Sequence, residues 1–278
     1  MNKKVIATLM LFLATLFWGL SYSIQMLSAN NLGSFTIVFF KGFGGLFLLP
    51  YILLSNRKID RNTIIGGVII GITVFIGCAL QQIGMELSTV SKASFITALY
   101  IIVVPILETF SGKKIKGRLW LSIIIAIIGL FLLCFHGSFS LSIGDILLFL
   151  CSVVFAYQII FIDKYSKKCD GISLTFVAQT TMSILSFIVM MIVEKPQISD
   201  IKNAILPILF MVFVSGMIAQ TIQMVYQKDV GPSLGSLIMS FESVFGAIGG
   251  WLILNQVLSV REIVGCILVF IAIVIAEN

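Results

Sequence analysis

Ten long apolar runs fill almost the whole chain, and they limit the fold more than any motif does. They cover residues 5–27, 34–54, 63–85, 91–111, 119–136, 143–162, 172–193, 203–226, 232–254 and 260–276. A hydrocarbon core about 30 Å thick takes roughly 20 helical residues to cross. The chain is 59% hydrophobic and 11% charged, with a mean hydropathy of +1.13, whereas a soluble domain carries about 25% charged residues. Lipid is therefore the expected solvent. Backbone groups in lipid must be satisfied within the structure, which leaves helices or closed barrels. The runs are continuous rather than alternating, so helices are expected. The short links leave no room for a soluble domain.

The net charge of +6 raises the question of nucleic acid, and the placement of the charges answers it. With the N-terminus in the cytoplasm and loops assigned alternately, one side receives Lys3, Lys4, Arg57, Lys58, Arg61, Lys113, Lys114, Lys116, Arg118, Lys164, Lys167, Lys168 and Lys228. The other side receives Lys92, Lys195, Lys202 and Arg261. Thirteen against four is a positive-inside bias. It predicts both termini in the cytoplasm and the protein in the plasma or inner membrane. The basic loops then face anionic lipid, and no nucleic-acid partner is expected.

Cys78, Cys134, Cys151, Cys169 and Cys266 form no CxxC pair and lie mostly within spans, as small packing residues do. His136 is a lone histidine at the end of the fifth span, so neither a metal site nor a cofactor is expected. The start resembles a signal peptide, with Lys3-Lys4 before an apolar stretch. That stretch is longer than a signal's apolar region and has no A-x-A site after it, so it reads as a permanent first helix.

The chain repeats itself weakly. At an offset of 138, Lys41 falls on Gln179 and Pro105 on Ser243; at 139, Gly77 falls on Gly216 and Gln81 on Gln220. Both halves open with an aromatic-rich helix, Leu16-Phe17-Trp18 and Val154-Phe155-Ala156-Tyr157. Residues 1–138 and 139–278 thus read as two five-helix repeats. Five is odd, so the second enters the membrane inverted, an arrangement that lets a site between the halves open to each side in turn. The fold class expected is an all-α integral membrane protein, ten transmembrane helices in two inverted repeats around a central cavity.

Polar side chains within spans face protein or a water-filled cavity, and helical spacing groups them. Thr15, Trp18, Tyr22 and Gln25 form one stripe, suited to an amphipathic or cationic solute or to interhelical packing. Ser94, Thr97 and Glu108 share a face of the fourth helix, where Pro105 removes a backbone donor and frees the carbonyl near Ile101, making either a hinge or a static kink. Gln220, Gln223 and Gln227 share a face of the eighth helix, with Gln81 and Gln82 as counterparts; such amides hold helices together or orient a solute. On the ninth helix Ser233, Ser236, Ser240 and Ser243 form a hydroxyl stripe. Glu242 lies near mid-span, costly unless paired, protonated or hydrated. Lys41, the only cationic residue well inside a span, can pair with it or snorkel, and the sequence does not show which. The expected cavity residues are Trp18, Tyr22, Gln25, Gln81, Ser94, Thr97, Tyr157, Gln220, Ser236 and Ser240. Glu242 and Lys41 supply charge or coupling, and Pro105 the hinge. GxSxG, HExxH and Walker signatures are missing, so no catalytic residues are expected.

Several of these stretches resemble the drug/metabolite transporter superfamily, in particular its EamA-like ten-helix permeases. Leu80-Gln81-Gln82-Ile83-Gly84, Ser91-Lys92-Ala93-Ser94-Phe95-Ile96-Thr97 and Val104-Pro105 are similar to the family's "LQ-x-x-G … SKAxFIT … VP" segment. Gly144-Asp145-Ile146-Leu147 is similar to its "GD-x-L", and Ser240-Phe241-Glu242-Ser243-Val244-Phe245 to its "SLEPVF". The resemblance implies secondary transport of a small metabolite, amino acid or drug, often outward, coupled to protons or to a counter-substrate. It leaves a multidrug or organic-cation exporter, and a non-transporting scaffold or sensor, as rivals. Ser243 stands where the family has proline, which leaves open whether the ninth helix has a kink matching that of the fourth. Lys41 stands where an arginine is common.

Overall fold

The structure is a computed structural model that describes residues 2–28, 32–88, 90–134, 142–255 and 257–277, with side chains for all of these except 26–28, 90–92 and 254. His136 and the loop between the halves lie outside the described residues. The described residues form helices and no strand. Besides a short helix at Ile198–Asn203, they are α1 (Lys3–Ser28), α2 (Ser34–Leu54), α3 (Arg61–Glu86), α4 (Val90–Thr97 and Tyr100–Phe110), α5 (Gly117–Cys134), α6 (Ile143–Ser166), α7 (Gly171–Val193), α8 (Ile205–Val230), α9 (Pro232–Met239 and Glu242–Leu254) and α10 (Val260–Glu277). By length and composition, nine segments among the described residues, in α1 to α9, can cross a membrane. The tenth apolar run is also helical, but α10 carries Arg261 and Glu262 at its start and Glu277 at its end, which shortens its apolar stretch.

Helix starts follow local chemistry. Asp60 caps α3, its carboxylate accepting from Thr63 Oγ1 at 2.6 Å and Thr63 N at 2.8 Å. The hydroxyl first, and then the N–H, hold this carboxyl below its ordinary value. Ser142 and Asp145 form a capping box on α6, and Asp170 caps α7 through Ser173 N at 2.9 Å.

Contacts between loops sort the helix ends onto two faces. On one, Arg57 pairs with Asp170, Lys228 Nζ donates to Ser166 O at 3.3 Å, and Lys4 Nζ donates to Glu277 O at 3.1 Å. The two terminal segments therefore share a face. There too Glu108 accepts from Ser233 N at 3.1 Å and from Lys113 Nζ at 2.7 Å; the Glu108 carboxylate pushes the Lys113 ammonium above its ordinary value. On the other face, Glu194 accepts from Phe35 N at 2.7 Å and Thr36 N at 2.8 Å, and Ser88 donates to Asp145 at 2.5 Å.

Helices from the first half pack chiefly on helices from the second: α1 on α9, α2 on α7, α3 on α6 and α7, α5 on α10. The α5–α10 crossing is a backbone contact. A Cβ on Gly265 would lie 2.6 Å from Gly129 O, so only hydrogen fits there.

Two helices break in the membrane, and they break alike. In α4, Ala98 N bonds Ser94 O, Leu99 N bonds Ile96 O, Ile101 N bonds Ala98 O, Ile102 N bonds Leu99 O and Val103 N bonds Leu99 O. Each of these five bonds recurs 142 residues later in α9, from Ser240 N to Ser236 O through Phe245 N to Phe241 O. The second half thus has a matching break without the proline, which answers the question that Ser243 leaves open. The first break falls at Ala98 and Leu99, upstream of Pro105, which sits inside the continuous segment Tyr100–Phe110. The expected hinge at Pro105 is therefore not where the helix is interrupted.

Candidate functional site

A cavity between the halves gathers many of the intramembrane polar groups. Its volume, as room for the centres of water-sized molecules, is about 70 Å³, which holds on the order of five waters or a small solute. The stripe on α1 points into it, with Trp18, Ser21, Tyr22 and Gln25 all in its wall. Thr15 belongs to the stripe by spacing but lies buried outside the wall, its hydroxyl donating to Phe12 O at 2.7 Å. Lys41 enters from α2, Cys78 and Gln81 from α3, and Tyr100 from the start of the second segment of α4. The second half adds Phe155 and Gln158 from α6, Gln179 and Met182 from α7, Ser215, Gln220 and Gln223 from α8, and Met239 and Glu242 from α9.

Hydrogen bonds fix much of this wall. Trp18 Nε1 donates across the halves to Ser215 O at 3.2 Å, and Gln81 Nε2 donates to Tyr22 Oη at 3.1 Å. Gln223 is the centre of an amide ladder. Its Oε1 accepts from Gln220 at 3.3 Å and Gln158 at 3.5 Å, and its Nε2 donates to Gln227 Oε1 at 2.9 Å. Gln227 in turn donates to Ile159 O at 2.7 Å, so the ladder both ties α8 to α6 and presents amides to the cavity.

Ser215 and Gly216 lie on a π-helical stretch of α8, Phe210–Ala219. Such stretches loosen the regular ladder and recur at functional sites. A Cβ on Gly216 would stand 2.0 Å from Lys41 O, so glycine is what lets α8 reach the α2 backbone beside the cavity. Gln179 Nε2 donates to Gly216 O at 2.7 Å and to Lys41 O at 3.4 Å. Lys41 and Gln179, matched by the repeat, therefore touch.

Six of the twelve residues expected to line the site or carry its charge come together from the first half and α8: Trp18, Tyr22, Gln25, Gln81, Gln220 and Lys41, and Glu242 joins them from α9. Five do not reach the cavity. Ser94 Oγ donates to Ser243 Oγ at 2.8 Å, bridging α4 and α9. Thr97 is fully buried. Ser236 and Ser240 turn their hydroxyls back onto Ser233 O at 2.8 Å and Leu237 O at 2.7 Å of their own helix. Tyr157 is 44% exposed and faces outward beside Phe161, because Phe155, Gln158 and Ile159 occupy the inner face of α6. Tyr100, Gln158, Gln179, Ser215 and Gln223 lie in the wall outside the expected set. The match of Gln179 to Lys41 and the sharing of a helix face with Gln220 by Gln223 were the available signals. Tyr100 had none. The sequence leaves open whether Lys41 meets Glu242; both line the cavity, and the described residues show no ion pair between them.

Comparison with known proteins agrees with this architecture. The chain is 27% identical over 280 residues to an uncharacterized transporter of Archaeoglobus fulgidus, covering 99% of this chain and 87% of that one. A crystal structure titled only as that of a protein superposes with a TM-score of 0.80 at 16% identity, over 98% of this chain and 96% of its own, and so shares the fold. The model of the EamA-like transporter family matches residues 5–135 and again 142–277. With nearly its whole length matched, this integral membrane protein belongs to the EamA-like transporter family.

Proposed function

We propose that the protein is a secondary-active permease of the plasma or inner membrane. It moves a small polar or amphipathic metabolite, with amino acids the first class to test, outward by alternating access. Residues 1–138 and 139–278 act as its inverted halves. The observation that carries this reading is the shared cavity, with Lys41 supplied by one half and Glu242 by the other. Cytoplasmic termini are supported by the positive-inside bias of the loops, and the Lys4–Glu277 contact joins the two terminal segments on one face. Glu242 is the carboxylate for coupling to protons or a counter-substrate, and lipid surrounds the bundle.

Melting-temperature screening of the purified protein against a metabolite library identifies the solute, since a ligand of the folded state raises the melting point. In proteoliposomes loaded with that solute, Glu242→Gln abolishes proton-driven uptake and keeps exchange. Unchanged proton flux in that variant removes Glu242 from coupling. A multidrug exporter is the second reading, favoured by Trp18, Phe155, Met182 and Met239 in the wall, which suit adaptable apolar contacts. Susceptibility to several cationic dyes separates the two.

A further inference from the structure

The breaks in α4 and α9 divide each helix into two segments, and the segments have different neighbours. On the side that carries Glu108, Tyr100–Phe110 of α4 lies against Pro232–Met239 of α9. Ile101, Val104, Leu237 and Ile238 are fully buried there in one core. Past the breaks the two helices part. Glu242–Leu254 of α9 lies on α1, where an ideal Cβ on Gly249 would stand 3.1 Å from Ser23 Oγ. Val90–Thr97 of α4 lies on α6 and α5 instead. Among the described residues, the hydrogen bond joining these two segments is Ser94 to Ser243, at 2.8 Å beside the breaks.

The cavity follows the same asymmetry. Trp18, Tyr22 and Gln25 on α1, Cys78 and Gln81 on α3, and Lys41 on α2 all lie in the half of their helix nearer the Glu194 face. The space between the halves therefore reaches toward that face, while α4 packed on α9 closes the Glu108 face.

Glu108 ties the closed side across the halves. Its Oε2 accepts from Ser233 N at 3.1 Å and also from Ser233 Oγ, and its Oε1 accepts from Lys113 Nζ at 2.7 Å. A carboxylate at a helix start meets free N–H groups and the positive end of the helix dipole. Here the carboxylate belongs to the first half and the helix start to the second. The Glu108 side chain is 6% exposed, so water competes little for these bonds. Just before them Gly231, at φ 87° and ψ 166°, takes a backbone conformation open essentially to glycine alone. The start of α9 thus hangs between a glycine joint and one buried carboxylate.

We propose that Glu108 is the positioning residue of the gate on its own face. Its carboxylate holds the start of α9 against α4 in a conformation closed toward Glu108, and release of Ser233 lets that face open. Glu108 acts through α9 and touches no solute. The assignment rests on the carrier reading of the cavity.

The test uses the full-length protein with Cys78 as its one remaining cysteine, reconstituted in vesicles of known orientation. A membrane-impermeant thiol reagent is applied from the Glu108 side or from the Glu194 side, and the ratio of the two Cys78 labelling rates is read. The parent labels faster from the Glu194 side. Glu108→Ala moves the ratio toward the Glu108 side by about tenfold or more, the scale of losing hydrogen bonds to a charged group. Ser233→Ala, which keeps the N–H, moves it the same way by less. A Glu108 that serves only as a helix cap lowers the melting temperature in both variants and leaves the ratio where it was. A ratio unchanged in Glu108→Ala, or in Ser233→Ala where the first does not fold, overturns the proposal. So does a parent that labels faster from the Glu108 side. In each of these cases the carrier reading survives, because Cys78 still reacts. A parent Cys78 that reacts from neither side ends both.

Discussion

Tyr100 and Glu242 stand 142 residues apart in sequence and meet across the cavity, the tyrosine hydroxyl donating to Glu242 Oε1 at 3.3 Å. The same 142 residues separate the matching breaks in α4 and α9, so the two side chains occupy equivalent places just beyond them. Discontinuous helices at corresponding positions of two repeats mark the binding site in many carriers. Here each break turns its next side chain, one phenol and one carboxylate, toward the same space.

Tyr100→Phe removes the donor and leaves the ring. Hydrogen bonds to charged groups contribute about 1.5–3 kcal/mol, and neutral ones about 1 kcal/mol. The variant should therefore melt below the parent, and the loss should shrink when Glu242→Gln is already present. A double-mutant cycle on melting free energies measures this coupling.

Gly216→Ala drives a methyl into the Lys41 carbonyl, 2.0 Å from the ideal Cβ position. Overpacking costs typically about 1–3 kcal/mol, and backbone against backbone relaxes poorly, so the upper part of that range is expected. Lower melting temperature together with weakened ligand binding is the outcome; Gly117→Ala, with nothing within 4 Å, is the control and should melt close to the parent.

Gln223→Leu strips the amide ladder at its centre and leaves the donors of Gln220 and Gln158 without their shared acceptor. Buried unpaired groups cost about 1–3 kcal/mol, and ligand affinity falls with them. Ser236→Ala and Ser240→Ala should leave ligand affinity unchanged, since those hydroxyls serve their own helix. Isothermal titration with the identified solute compares the three.

Asp60 gives a pH dependence. Its folded carboxyl titrates below its ordinary value of 3.8, so its contribution is fully present above that value and is lost as pH falls through the depressed one. Asp60→Asn keeps a capping side chain that does not titrate. Melting curves from pH 6 down to pH 3 should show a constant difference between parent and variant above about pH 5, shrinking as acid is added.

The helices and much of the wall were legible because burial in lipid writes itself into hydropathy and spacing. Trp18, Tyr22 and Gln25 follow one helical stripe, and no other side of α1 offers aromatic and amide groups together. The α9 serines misled for a physical reason: a hydroxyl can bond the carbonyl three residues back and needs no cavity. Tyr157 missed by about one helical step of 100°, which places it outward while Gln158 turns in. Tyr100 is hidden because the weak sequence repeat aligns at 138, which sets Pro105 on Ser243. The breaks align at 142, and backbone hydrogen bonds leave little trace in side-chain identity. The π-helical stretch that frames Ser215 is invisible for the same reason.

The proposed carrier requires a hydrated cavity between the halves that opens to each side of the membrane in turn. Cys78 is a native reporter of it, buried in the cavity wall. With Cys134, Cys151, Cys169 and Cys266 replaced by alanine, the protein is reconstituted in vesicles of known orientation. It is then exposed to a membrane-impermeant cationic thiol reagent from one side or the other. An alternating carrier gives modification of Cys78 from both sides, with added solute slowing it from each. A Cys78 that stays unmodified from both sides, or reacts from one side alone under every condition, contradicts it.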